Sequence, residues 1–171
     1  MRAFWPLGGP QGRWTLTIAE TAPVPAAGCV SSEFLPWAEM ELPSGIVGAK
    51  LLRVSDAAGS FTVLSRMPAG VEIPRHRHLG DVHAFTHKGT WRYREYDWIA
   101  AAGSYVYEPP GSTHTLEVLE DMETTFVIAG GQIMLGPSDE VLAYEDFTTA
   151  RALYRDMLKS QGIDYPAKIL S

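Results

Sequence analysis

Between Ala49 and Gly136 the chain is a succession of short β-like runs, each closed by turn formers. AKLLRV (Ala49–Val54) stops at SDAAGS, and SFTVLSRM (Ser60–Met67) stops at PAG. DVHAFTHKG and TWRYREYDW come next, then GSYVYEPPG, HTLEVLE, TTFVIAG and GQIMLG. Strands of about five to eight residues, with Gly, Pro, Asp or Ser at the joints, predict an antiparallel barrel or sandwich. The period changes near the C-terminus. In DFTTARALYRDMLKSQG the apolar positions Ala150, Leu153, Tyr154, Met157 and Leu158 follow helical spacing, which predicts one amphipathic helix. Thr148 or Thr149 can cap its start and Gly162 can end it. The expected organisation is an irregular lead-in over 1–36, a β-barrel over 37–146, and over 147–171 a helix packed on the barrel or at a subunit interface. Within the lead-in, WTLTIA (Trp14–Ala19) can form a strand.

At 171 residues the chain is long enough for one domain with a substantial core. Its net charge of −6 argues against nucleic acid and anionic membranes as partners. No apolar run approaches the roughly 20 residues needed to span a bilayer. The N-terminus, MRAFWPLGGPQGRW, lacks the hydrophobic core of a secretory signal. The single cysteine, Cys29, forms no intrachain disulfide, and a reducing, cytoplasmic setting is expected.

Four of the five histidines fall in PRHRHLGDVHAFTHKG (Pro74–Gly89), and the fifth, His114, in GSYVYEPPGSTH. His76 and His78 are two residues apart, so on a strand both imidazoles face one side and can reach one ion. The Pro109-x-Gly111 turn brings the chain round so that His114 can approach them from an adjacent strand.

The two stretches together carry a resemblance. Gly70, His76, His78 and Gly89 fit the first cupin motif, G-x5-H-x-H-x3,4-E-x6-G, apart from its glutamate. Gly103, Pro109, Gly111 and His114 fit the second, G-x5-P-x-G-x2-H-x3-N, whose last position is Val118 here. This resemblance implies an all-β, single-domain cupin barrel, a double-stranded β-helix, with an irregular N-terminal segment and a C-terminal helix. Counting back seven residues from Gly89, the glutamate place holds Val82, with His83 beside it. If Val82 faces inward, alternation sends His83 outward unless a bulge makes it a fourth ligand. His87, at the far end of that strand, reads as a solvent or subunit-contact residue.

The expected site is therefore His76, His78 and His114 without a carboxylate ligand. Three neutral imidazoles leave a divalent ion its full charge, which favours an anionic, chelating oxygen ligand such as the enolate of a hydroxyketone or diketone. They also leave open positions, as in facial non-haem iron sites. Fe2+ is the expected cofactor, although the donor set also suits Zn2+, which would then activate a water. Glu108, six residues before His114, is a candidate catalytic base. TWRYREYDW presents either Trp91 and Tyr93 or Arg92 and Arg94 to the pocket. Trp91 and Tyr93 would stack on an aryl substrate, and Arg94 would pair with Glu108.

RHRHLGDVHAFT, TWRYREYDW, GSYVYEPPGSTHTL and FWPL resemble the 2,4'-dihydroxyacetophenone dioxygenase family. That resemblance implies iron(II) on His76, His78 and His114, with O2 cleaving the bond between the carbonyl and hydroxymethyl carbons to give 4-hydroxybenzoate and formate. Acetylacetone dioxygenase is more distantly similar. It has a glutamate matching Glu108 and an arginine matching Arg94, but a tyrosine where this chain has Ala84. The expected partners are a small ketone and O2. A homodimer or homotetramer is expected, because small cupins usually pair and strand edges offer contact material. The alternatives on the same barrel are a non-enzymatic metal-loaded sensor and a zinc-dependent hydrolase or isomerase.

Overall fold

The computed structural model describes residues 27–166 and Ile169; the strand expected at Trp14–Ala19 lies outside the described residues. The described chain forms β1 (Ala38–Leu42), β2 (Gly45–Ser55), β3 (Ser60–Met67), β4 (Glu72–His78), β5 (Val82–Tyr93), β6 (Ala100–Ala101), β7 (Tyr105–Glu108), β8 (Thr113–Ala129), β9 (Gln132–Leu135), β10 (Val141–Glu145) and α1 (Phe147–Ser160). The strands join in one curled, mostly antiparallel sheet of order β1-β2-β3-β8-β4-β9-β10, with β5 on the other side of β8 and β6 and β7 on β5. No described helix is long and apolar enough to cross a membrane.

β8 organises the sheet. One of its edges is shared between β4, which pairs near Thr113–Glu117, and β3, which pairs along Met122–Ala129. β5 runs along its other edge. The expected runs HTLEVLE and TTFVIAG are thus one strand of 17 residues. Glu120 and Asp121 read as a joint because they are charged, but they mark only an exposed stretch where inward–outward alternation breaks. DVHAFTHKG and TWRYREYDW likewise merge into β5, whose register with β8 shifts between Thr86 and Trp91. Gly89 makes that kink with a φ of 72°, and a Cβ there would lie 2.2 Å from the Asp121 carbonyl oxygen, so only glycine fits.

The inner face carries the apolar residues. Val82, Trp91, Tyr93, Leu116, Val118, Met122 and Ile128 are all buried in one cluster. Each large side chain there contributes roughly 1.5–3 kcal/mol by leaving water. α1 adds Ala150, Tyr154 and Leu158 to the same cluster, and so packs on its own barrel. Its cap differs from the expectation. Asp146, in extended backbone, accepts from the Thr148 and Thr149 amides, while Thr149 returns its hydroxyl to the Asp146 amide. A carboxylate at this position satisfies two orphan donors and the helix dipole together, which Thr148 cannot do. Gly162, with a φ of 72°, follows the last turn as expected.

Candidate metal centre

Backbone pairing brings the three histidines together. β4 lies against the start of β8 with His76 and His114 as direct cross-strand partners. The Pro109–Gly111 turn is clamped to the same strand, because the Gly111 amide donates to the His78 carbonyl (2.8 Å) and the His78 amide donates to Ser112 O (3.0 Å). All three imidazoles are buried, with ring centroids 5.0, 4.7 and 5.1 Å apart. Each offers a ligand atom within 4.8 Å of the others.

His76 Nδ1 donates to the Pro74 carbonyl at 2.8 Å, which leaves Nε2 with its lone pair directed inward. Burial first, then the neighbouring imidazole of His78, hold this ring neutral down to about pH 4, against the pull of the Pro74 bond. His78 Nδ1, both nitrogens of His114 and Glu108 Oε2 are buried without a well-formed hydrogen bond among the described residues, the two facing atoms His114 Nε2 and Glu108 Oε2 lying 3.3 Å apart. Such orphaned groups cost free energy unless something binds them. Three buried, convergent imidazoles whose nitrogens lack well-formed hydrogen bonds fit a divalent metal ion.

A carboxylate stands beside the triad. Val82, at the cupin glutamate place, is the cross-strand partner of Glu108 on β7. Glu108 therefore stands on the strand next to that place. It is 3% exposed, with Oε2 2.9 Å from His78 Nε2 and 3.3 Å from His114 Nε2. Its Oε2 thus lies against two of the three candidate ligand nitrogens. Burial pushes its carboxyl up, but the imidazoles of His114 and His78 and the Tyr93 hydroxyl prevail and bring it down to about 2. Tyr93 donates to Glu108 Oε1 at 2.6 Å, and its ring stacks on His114 with centroids 3.5 Å apart. Tyr93 thus orients both a candidate ligand and the acid. Tyr93→Phe keeps the stack and removes the donor. The expected result is retained metal with turnover reduced about tenfold, from a Glu108 that has lost one fixed partner; metal analysis beside steady-state rates checks this.

β5 turns Trp91 and Tyr93 inward, and the two differ in what they touch. Tyr93 lines the cavity beside the histidines. Trp91 is wholly buried, with its indole N–H on Thr86 Oγ1 (2.9 Å), and stands outside the cavity wall. Arg94 does not reach the site. It lies on the outer face, half exposed, with its guanidinium 2.6 Å from Glu72, so its expected pairing with Glu108 is replaced by a surface ion pair. The reason is alternation: once Tyr93 faces in, Arg94 faces out. His83 points outward to the Tyr105 hydroxyl (2.6 Å), and His87 to Thr125 Oγ1 (2.7 Å).

His76 and His78 open onto a cavity of about 570 Å³, while His114 stands behind them, outside its wall. Its walls are mainly apolar, among them Leu51, Phe61, Phe126 and Ile128, and Leu153 and Met157 of α1 complete them. The sequence reading assigned α1 to packing alone; its apolar stripe also lines this space. Gln132 and Glu145 line it too and had not been singled out. The signal was present for Gln132, which alternates with Met134 on one face of GQIMLG. Burial raises the Glu145 carboxyl, with partial relief from Gln132.

A curled antiparallel barrel with histidines from β4 and β8 converging at its interior is the architecture of a metal-binding cupin. The ChrR cupin-like domain model matches residues 26–133, more than half of the chain, and the protein belongs to that family. No curated protein sequence matches. Among solved structures, an RmlC-like cupin protein from Ralstonia eutropha JMP134 is 34% identical, covers 85% of this chain and 95% of its own, and superposes with a TM-score of 0.77. A proposed acetylacetone dioxygenase from Methylibium petroleiphilum PM1 is 24% identical, covers 78% and 97%, and reaches a TM-score of 0.73. An acetylacetone dioxygenase from Acinetobacter johnsonii is 19% identical, covers 81% and 97%, and reaches 0.69.

Proposed function

We propose that the protein is an iron(II)-dependent dioxygenase that cleaves the bond between the carbonyl and hydroxymethyl carbons of an aryl hydroxyketone, in the manner of 2,4'-dihydroxyacetophenone dioxygenases. The observation that carries this reading is three convergent buried imidazoles, two of which line the cavity, with the Glu108 carboxylate against His78 and His114. The fold shared with acetylacetone dioxygenases supports it, since those cupins act on a chelating ketone.

His76, His78 and His114 would hold the ion. Iron(II), when bound, supplies open positions for two oxygen atoms and the electrons that activate O2. The chain's own residues do the rest. Glu108 takes the proton released as the hydroxyketone becomes an anion, and Tyr93 keeps that carboxylate aimed. A deeply depressed acid is a weak base, so the positive charge at the site must supply most of the driving force for deprotonation. The apolar walls exclude water and seat the aryl group. The overall reaction balances as one hydroxyketone plus one O2 giving one aryl carboxylate, one formate and two protons, with an oxygen atom from O2 in each product.

Protein loaded anaerobically with iron(II) should consume one O2 per formate released, and 18O2 should label both products. Zinc-loaded protein should be silent. Absence of O2 uptake across a panel of hydroxyketones and diketones would remove the dioxygenase reading. Hydrolysis or isomerisation by the zinc form without O2 would replace it with the hydrolase or isomerase alternative.

A further inference from the structure

Three inward-facing residues form a row across the sheet. Gln132 on β9 is the backbone partner of His78 on β4, and Glu145 on β10 is the partner of Gln132. All three line the cavity. Strands lie about 4.8 Å apart, so Gln132 stands one strand, and Glu145 two strands, from a candidate metal ligand. The Gln132 amide donates to Glu145 Oε2 at 2.6 Å. That leaves Glu145 Oε1 accepting no hydrogen bond from the described residues.

The backbone that carries Glu145 is closely held. The next residue, Asp146, caps α1, and a Cβ on Gly131 would lie 2.2 Å from the Glu145 carbonyl oxygen. A carboxyl–amide pair facing a mainly apolar cavity offers a ligand hydrogen bonds that the walls around it do not. Its free acceptor lies beside an amide N–H, which together complement a hydroxyl: the oxygen donates to Glu145 and accepts from Gln132. Glu145, two strands from His78, stands farther from the candidate ligands than Gln132 does.

We propose that Gln132 and Glu145 form a specificity subsite for a hydroxyl group on the substrate's ring. This rests on the hydroxyketone reading above, and it names residues that bind and discriminate without taking part in bond cleavage.

The test uses binding, so that it is independent of oxygen chemistry. Zinc-loaded, full-length protein is titrated calorimetrically with phenyl hydroxymethyl ketone and with its 3'- and 4'-hydroxy derivatives. One ring-hydroxylated ketone is expected to bind about tenfold tighter than the unsubstituted compound. Glu145→Leu and, separately, Gln132→Leu should abolish that advantage and leave the Kd of the unsubstituted ketone within about twofold, while Glu145→Gln retains part of it. Using two substituted positions guards against one variant failing to fold. An advantage that survives both substitutions, no advantage for any ring hydroxyl, or binding of none of the ketones overturns the subsite. A normal binding preference in a protein that consumes no O2 would sink the dioxygenase reading alone.

Discussion

His114→Ala protein, reconstituted with excess iron(II) under nitrogen and desalted, is expected to retain no more than roughly a tenth of the iron held by the parent, with turnover lost in proportion. His114 is fully buried, directly partners His76, and packs against Tyr93. Removing it leaves two imidazoles on one strand. The protein should also melt lower, because truncating a buried ring leaves a cavity worth about 3 kcal/mol or more. His83→Ala is the control. His83 lies only five residues beyond His78 but faces outward to Tyr105, so its iron content and turnover should match the parent. Equal iron in His114→Ala would mean that the second cupin motif supplies no ligand.

Glu108→Gln separates holding the ion from using it. The amide is isosteric, and its carbonyl can still accept from Tyr93, so the buried site should stay folded. Iron content should be unchanged. Turnover should fall about 10²- to 10⁴-fold, the usual contribution of a positioned general base. The loss should appear in kcat more than in KM, because the ketone still has the histidine-bound ion and the apolar walls to bind. Full turnover in Glu108→Gln would exclude it as the base. Loss of iron together with turnover would make the carboxylate a ligand, and the site would then carry one positive charge fewer than proposed.

The contrast between these two residues shows what the linear chain could disclose. His76-x-His78 and the Pro109–Gly111 turn are local patterns with fixed geometric consequences, so their meeting with His114 was readable from spacing. So was the outward direction of His83, once Val82 was placed inside. Alternation alone gave TWRYREYDW two faces without saying which was buried. The pairing of β5 with β8 decided it, placing Tyr93 opposite Leu116 in the core and sending Arg94 to the surface. The contact between Tyr93 and Glu108, and the cross-strand placement of Glu108 opposite Val82, depend on β5–β7 register, which no short window encodes. β10 was missed for a similar reason. Val141–Glu145 is exposed along most of its length, and only its pairing with β9 makes it a strand. The opposite error occurred in β8, where charged Glu120 and Asp121 imitate a turn inside a strand held by neighbours on both edges.

The central claim is a metal ion held by three neutral imidazoles, with coordination positions left open for substrate and a carboxylate standing off. An anaerobic crystal structure of the iron(II)-loaded protein with a hydroxyketone bound tests it most directly. The expected result is nitrogen atoms of His76, His78 and His114 at about 2.1 Å from the ion, two ketone oxygens completing the sphere, and Glu108 hydrogen-bonded to Tyr93 outside it. A Glu108 oxygen bonded to the ion, or any of the three rings turned away from it, would contradict the account.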